Sequence, residues 1–295
     1  MYVFIFQSII YFIDISTLNN LLKPLINEME NYTKIKNIVA ICITSLFLSS
    51  MTINGSYNYF FEAYAQNTSS SNATSNAKPL PVLLIHGYLG DASMWNKWQD
   101  LLKKDGVVSY PITFNQSDDK CGSAAEHAKE LSSTIAKVKS QSGQSKVNIV
   151  GHSKGGLDAR VYLANGTQDV ANLIMMGTPN AGSPLAENNN ICAPAVYDLK
   201  PGAPDTKVKM NPNTKYYTIA GDWNPGGGNC DLSFFSLFEQ GASSTLPKPN
   251  DGMVPVSSVE SLGYSNSLGH SKSCHSNLLS EYEYGLAKNI LLEKK

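Results

Sequence analysis

The chain carries almost no net charge. Its 23 Lys and Arg nearly balance 24 Asp and Glu over 295 residues, leaving a formal charge of −1. Neither a nucleic acid nor another charged polymer is therefore expected as a partner. Cysteine is scarce, with five in all and none at C-x-x-C spacing, which argues against a zinc site. No internal repeat and no heptad run occurs, so neither a solenoid nor a coiled coil is expected. The early apolar run Ile38 to Leu48 is too short for a spanning helix. What is present is 42% hydrophobic residues, enough for the core of one α/β domain of ordinary size.

The first part of the chain does not read as that domain. Lys34 and Lys36 precede the Ile38 to Leu48 run, as an n-region precedes an h-region, and Ala63-Tyr64-Ala65 offers a cleavage site before Gln66. The gap from Leu48 to Ala65 is long for a signal peptide, so an uncleaved membrane anchor is the rival reading. A second apolar run, Met1 to Ile13, has no basic flank, and translation is expected to begin at Met29. Residues 1–65 are thus an N-terminal extension with a signal peptide or anchor. Residues 66–78 form a Ser/Thr/Asn-rich linker, and 79–295 the folded domain. A secreted protein is expected, membrane-anchored if the signal stays uncleaved. Beyond Cys42, the four remaining cysteines suggest two disulfides. Cys230 and Cys274 both lie in late loops and are paired on that ground, leaving Cys121 with Cys192.

The informative stretch is Val147 to Leu157, V-N-I-V-G-H-S-K-G-G-L. A short apolar run suits a buried strand, Gly151-His152-Ser153-Lys154-Gly155 is a G-x-S-x-G turn, and a helix follows from Gly156. That context makes Ser153 a candidate nucleophile. Other strands are expected at Pro81–Ile85, Val107–Phe114, Leu173–Met176 and Tyr216–Ala220. Helices are expected after Asp91, over Ser123–Ser140 and over Ser276–Leu292. Strands alternating with helices imply an α/β domain with a mostly parallel central sheet and helices on both faces.

A serine hydroxyl needs a base, and the base needs an acid to set its tautomer. In the order Ser, acid, His, both His270 and His275 qualify as base. His275 is favoured because it directly precedes the closing helix, beside Cys274. Asp251, in the turn Asn250-Asp251-Gly252, is the favoured acid, with Asp222 at the end of the Tyr216–Ala220 strand competing. The backbone N–H groups of Tyr88 and Lys154 are the candidate oxyanion-hole donors. The Lys154 ammonium is expected in solvent.

Four stretches taken together carry a resemblance. Val82 to Gly90 (V-L-L-I-H-G-Y-L-G), the G-H-S-K-G-G elbow, Gly177 to Ala186 (G-T-P-N-A-G-S-P-L-A) and N-D-G-M-V-P resemble α/β-hydrolase lipases of the bacterial triacylglycerol-lipase type. The likeness runs from about Pro79 to the C-terminus. It implies the α/β-hydrolase fold and hydrolysis of carboxylic esters without an organic cofactor. It also implies Ser153, Asp251 and His275 as catalytic residues, with Tyr88 and Lys154 as oxyanion donors. Some related lipases hold a structural calcium through an Asp two positions after the histidine; here that position is Asn277, which makes calcium doubtful. A short lid-like insertion is expected at about 183–212, apolar enough to wall a groove. A second apolar group, Leu232, Phe234, Phe235, Leu237 and Phe238, suggests contact with a membrane or lipid surface. The expected partner is an ester or lipid substrate, and the expected state a monomer. An acyltransferase or amidase with the same triad, or a non-catalytic binding protein on this fold, are the alternatives.

Overall fold

The computed structural model describes residues 78–225, 227, 230 and 234–293, without the side chains of 234–238. The expected signal or anchor, nearly all of the linker, Leu232 and the phenylalanine side chains of 234–238 lie outside the described residues.

Among the described residues, six strands form one parallel sheet: β1 (Val82–Ile85), β2 (Ser109–Pro111), β3 (Val147–His152), β4 (Val170–Met176), β5 (Lys215–Gly221) and β6 (Asn266–Ser271). Their spatial order is β2-β1-β3-β4-β5-β6, every neighbour parallel. The helices are α1 (Asn96–Lys104), α2 (Ala124–Ser142), α3 (Lys154–Leu163), α4 (Ala193–Asp198), α5 (Phe234–Ser243), α6 (Val256–Val259) and α7 (Glu281–Leu291).

The apolar run of β1 is explained by burial on both faces. Leu83 and Ile85 pack with Leu131 and Ile135 of α2 and Leu163 of α3. Val82 and Leu84 point the other way, to Trp98 and Leu102 of α1 and Tyr284 and Leu291 of α7. Helices therefore cover both faces, as the sequence implied. Trp98 stacks edge-on against Trp95 and Tyr284, with ring centroids 5.6 and 5.3 Å apart. Ser123 and Glu126 close a capping box at the start of α2, and Gly143 in the left-handed region ends it.

Three elements differ from expectation. The second strand is only Ser109–Pro111, shorter than the expected Val107–Phe114. The closing helix begins at Glu281, where Ser280 and Glu283 form its capping box; His275 instead starts a separate short turn, His275–Asn277. Strand β6, which contains His270, was not anticipated.

Both disulfides pair as expected, Cys121 with Cys192 and Cys230 with Cys274, at Cα separations of 4.8 and 5.3 Å. The T-P-N stretch after β4 acts as a joint. The buried Arg160 of α3 donates to Asn180 Oδ1 at 3.1 Å and to the Thr206 carbonyl at 3.0 Å. Asn180 Nδ2 in turn donates to the Val259 carbonyl in α6 at 2.7 Å. The chain runs from β1 outward to β2, then returns to lay β3 on the other side of β1. Such a reversal opens a crevice beyond the carboxyl ends of β1 and β3.

Candidate active site

Ser153 stands in that crevice, between β3 and α3, at φ 53° and ψ −126°. A side chain other than glycine rarely takes such angles, so the turn is strained and the packing must hold it. The packing is close. A Cβ on Gly155 would sit 2.4 Å from the backbone oxygens of Ile85 and His86. The Ser153 N–H donates to the Met176 carbonyl at 2.8 Å, tying the turn to the end of β4.

The loop after β1 lies against the elbow. A Cβ on Gly87 would come within 2.7 Å of Ser153 Cβ, so only glycine lets the two loops approach this closely. Tyr88 follows, then Leu89 at φ 57°. Lys154 is the first residue of α3, where backbone N–H groups have no partner within the helix. Tyr88 and Lys154 thus bring two backbone donors to the neighbourhood of Ser153.

His275 and Asp251 are brought together. His275 Nδ1–H donates to Asp251 Oδ2 at 2.7 Å, and the His275 backbone N–H donates to the Asp251 carbonyl at 2.9 Å. The other carboxylate oxygen, Oδ1, accepts the N–H groups of Met253 and Val254 at 2.9 and 2.7 Å. The acid is fully buried and its orientation is fixed on both sides. With Nδ1 occupied, the lone pair of His275 is left on Nε2. Burial works to lower the His275 pKa. The charge and hydrogen bond of Asp251, with the charge of Glu239, outweigh it and hold the pKa above the ordinary value.

The competing pair does not assemble. His270 is on β6 and meets Glu260 at 3.0 Å, while Asp222 pairs with Lys272. His86 pairs with Asp119 at 2.9 Å. His152 donates through Nε2 to the His275 carbonyl at 2.9 Å and so braces that residue. Burial, then the charge of His275, depresses the His152 pKa to about 3, so the ring is neutral. Sequence reasoning assigned His152 no role beyond adjoining Ser153.

The Lys154 side chain corrects an expectation. It is 1% exposed rather than solvated. Nζ lies 2.5 Å from Asp158 Oδ1, one turn along α3, and 3.8 Å from Asp198 of α4. Asp158 Oδ2 accepts from His127 Nδ1 at 2.8 Å, and Asp198 Oδ2 accepts the Ala124 N–H at 2.6 Å. The ammonium therefore knots α2, α3 and α4 together directly behind the elbow.

Ser153 and His275 line one cavity of about 500 Å³. Its wall is mostly apolar, with Met94, Leu185, Ile191, Val196 and Met253 among the lining residues. The segment expected as a lid supplies Leu185, Ile191 and Val196, so it forms a wall made of short turns and α4. Tyr88 OH donates to the Ile191 carbonyl at 2.8 Å and fastens that wall to the loop after β1. Glu239 of α5 also lines the cavity and was not singled out in the sequence. Among the described residues, the one group of metal-ligating side chains close enough to share an ion is Cys230, Glu239 and Cys274, two of which are joined as a disulfide.

The family described as alpha/beta hydrolase fold matches residues 81–200. A triacylglycerol lipase of Pseudarthrobacter phenanthrenivorans is 34% identical over 122 residues, covering 39% of this chain and 37% of that protein. A triacylglycerol lipase of Burkholderia plantarii is likewise 34% identical over 122 residues, covering 39% of this chain and 33% of that protein. The chain thus aligns with about a third of the length of these curated relatives. Among solved structures, the mature lipase BlEst2 of Bacillus licheniformis superposes with a TM-score of 0.58 at 25% identity, over 74% of this chain and 94% of that one. The metagenomic carboxyl esterase MGS0156 superposes at 0.57 and 16% identity, over 76% and 78%, a likeness of fold alone.

Proposed function

We propose that this chain, which has the α/β-hydrolase fold and resembles bacterial triacylglycerol lipases, is an exported serine hydrolase of carboxylic esters. The observation that carries the reading is the meeting of Ser153 and His275 in one cavity, with Asp251 bonded to the far side of the imidazole. Ser153 Oγ attacks the ester carbonyl while His275 Nε2 takes its proton. The developing oxyanion is received by the N–H groups of Tyr88 and Lys154. Asp251 stabilises the imidazolium without itself taking the proton. The carbon–oxygen bond to the leaving alcohol breaks as His275 returns the proton to it, leaving an acyl-Ser153 ester. Water then attacks in the same way, releases the acid and restores the serine.

The apolar wall favours a lipid-like acyl chain over a small polar one. Two disulfides support a working place outside the cytosol. Among the described residues, no helix is long and apolar enough to cross a membrane.

A fluorophosphonate probe followed by peptide mapping tests this reading. One adduct is expected, on Ser153, together with hydrolysis of p-nitrophenyl esters that Ser153→Ala abolishes. An adduct on another serine, or turnover that survives Ser153→Ala, would sink it.

A further inference from the structure

We propose that Glu239 is a positioning residue for the general base: it clamps the turn that carries His275 and sets a second negative charge against that imidazole. The catalytic meaning of this role rests on the ester-hydrolase reading above; the electrostatic part does not.

Glu239 is 3% exposed and lines the cavity shared by Ser153 and His275. Oε1 accepts the Ser276 N–H at 3.0 Å and Oε2 accepts the Ser276 hydroxyl at 3.1 Å. Both carboxylate oxygens are thus committed to the residue next to the base. A buried carboxylate is costly unless a cation or several donors meet it. The charges acting on this one are those of His275 and Asp251. Burial pushes the Glu239 carboxyl above the ordinary value, while the charge of His275 and the two Ser276 bonds pull it back. The groups facing His275 are Asp251 from its turn, Glu239 from α5 and His152 from β3, with His86 acting on His152 from behind. Two of these are carboxylates, and His152, its pKa depressed to about 3, adds no charge at neutral pH. The imidazolium formed during attack therefore meets two negative charges rather than one.

The mount is rigid. A Cβ on Gly252 would lie 2.8 Å from Glu239 Cβ, so α5 presses on the turn that holds Asp251. Asn250 Nδ2 donates to the carbonyls of Ser243 and Pro247, both at 3.2 Å, fastening the end of α5 to the same turn. The Cys230–Cys274 bridge ties the chain before α5 to the residue before His275. Asp251, His275 and Glu239 are thus tied to one another through the same turns.

Glu239→Gln keeps the shape and an acceptor for the Ser276 N–H but removes the charge. The test reads two quantities in the full chain: the acidic limb of kcat/KM, and the His275 titration midpoint by NMR of ¹³C-labelled histidine. Removing a negative charge lowers the His275 pKa, so both midpoints are expected to move to lower pH. The plateau of kcat/KM is expected to fall about tenfold, as a lost stabiliser of the imidazolium. Ser276→Ala, which keeps the charge and loosens the clamp, lowers the plateau while the midpoints stay. If Glu239→Gln fails to fold, Glu239→Asp, which draws the charge back, is read the same way. Unmoved midpoints in a charge variant, with Ser153-dependent hydrolysis intact in the parent, overturn the proposal and leave Glu239 a structural residue. If the parent hydrolyses no ester, the NMR midpoint still decides the electrostatic claim while the functional reading alone falls.

Discussion

At the scale of single residues, the pH behaviour of His275 and His152 runs in opposite directions. In the proposed mechanism His275 must be neutral to accept the serine proton, and its folded pKa is raised. Activity is therefore expected to be lost as pH falls through a midpoint above the ordinary imidazole value, which a kcat/KM profile reads directly. Asp251→Asn keeps the shape but misdirects the tautomer, and a loss of about 10⁴-fold in kcat is expected. His152 is held neutral in the fold, with a pKa of about 3 against 6.5 for a free imidazole. Its depressed value contributes stability that is present above pH 6.5 and lost as pH falls from there toward 3. In urea titrations from pH 7 to 4, His152→Gln is expected to lose stability less steeply than the parent. Lys154→Ala would leave the buried Asp158 with His127 as its remaining partner and without the ammonium, costing about 3–5 kcal/mol in the same measurement. The Lys154–Asp158 pair is visible as an i,i+4 spacing, but nothing in one dimension says that this face of the helix is covered. Glu239 has no local signature at all; only the return of α5 against the His275 turn gives it a role.

Among elements, legibility follows burial. Strand β3 and its elbow are readable because a strand covered on both faces is an apolar run, and a tight crossing demands small residues at set positions. Strand β6 has the opposite character. It pairs only with β5, at the sheet edge, and reads N-S-L-G-H-S with most side chains partly or wholly exposed. Neither alternation nor a run survives in it, so His270 resembled a loop residue and competed with His275. The break before α7 is likewise local: the Ser280–Glu283 box fixes the start of the helix more firmly than the polar stretch before it does. The same reasoning ranks the elements by what they contribute. Trp98 joins α1 to β1 and α7, and Trp98→Ala is expected to cost about 3–5 kcal/mol in chemical denaturation. A loss below 1 kcal/mol there would mean that α1 is not part of the cooperative core.

For the molecule as a whole, the proposed reading makes the cavity the determinant of substrate range. Each added methylene that enters an apolar wall contributes about 0.8 kcal/mol, part of it realised in the transition state. Specificity constants are expected to climb by well over tenfold from acetyl to octanoyl p-nitrophenyl esters. A flat series points to a small-ester esterase whose cavity is walled off from long chains. The two cystines close segments of 71 and 44 residues. Each contributes roughly 4 kcal/mol by the chain-entropy account. Their placement matters beyond that sum. One ends at the residue before His275, and the other pins the residue before α4, which walls the cavity. Reduction would remove one covalent tie from the His275 turn and one from the wall at α4 in a single step. Under the proposed reading, ester hydrolysis is therefore expected to fall when both bridges are reduced with dithiothreitol and to return on reoxidation.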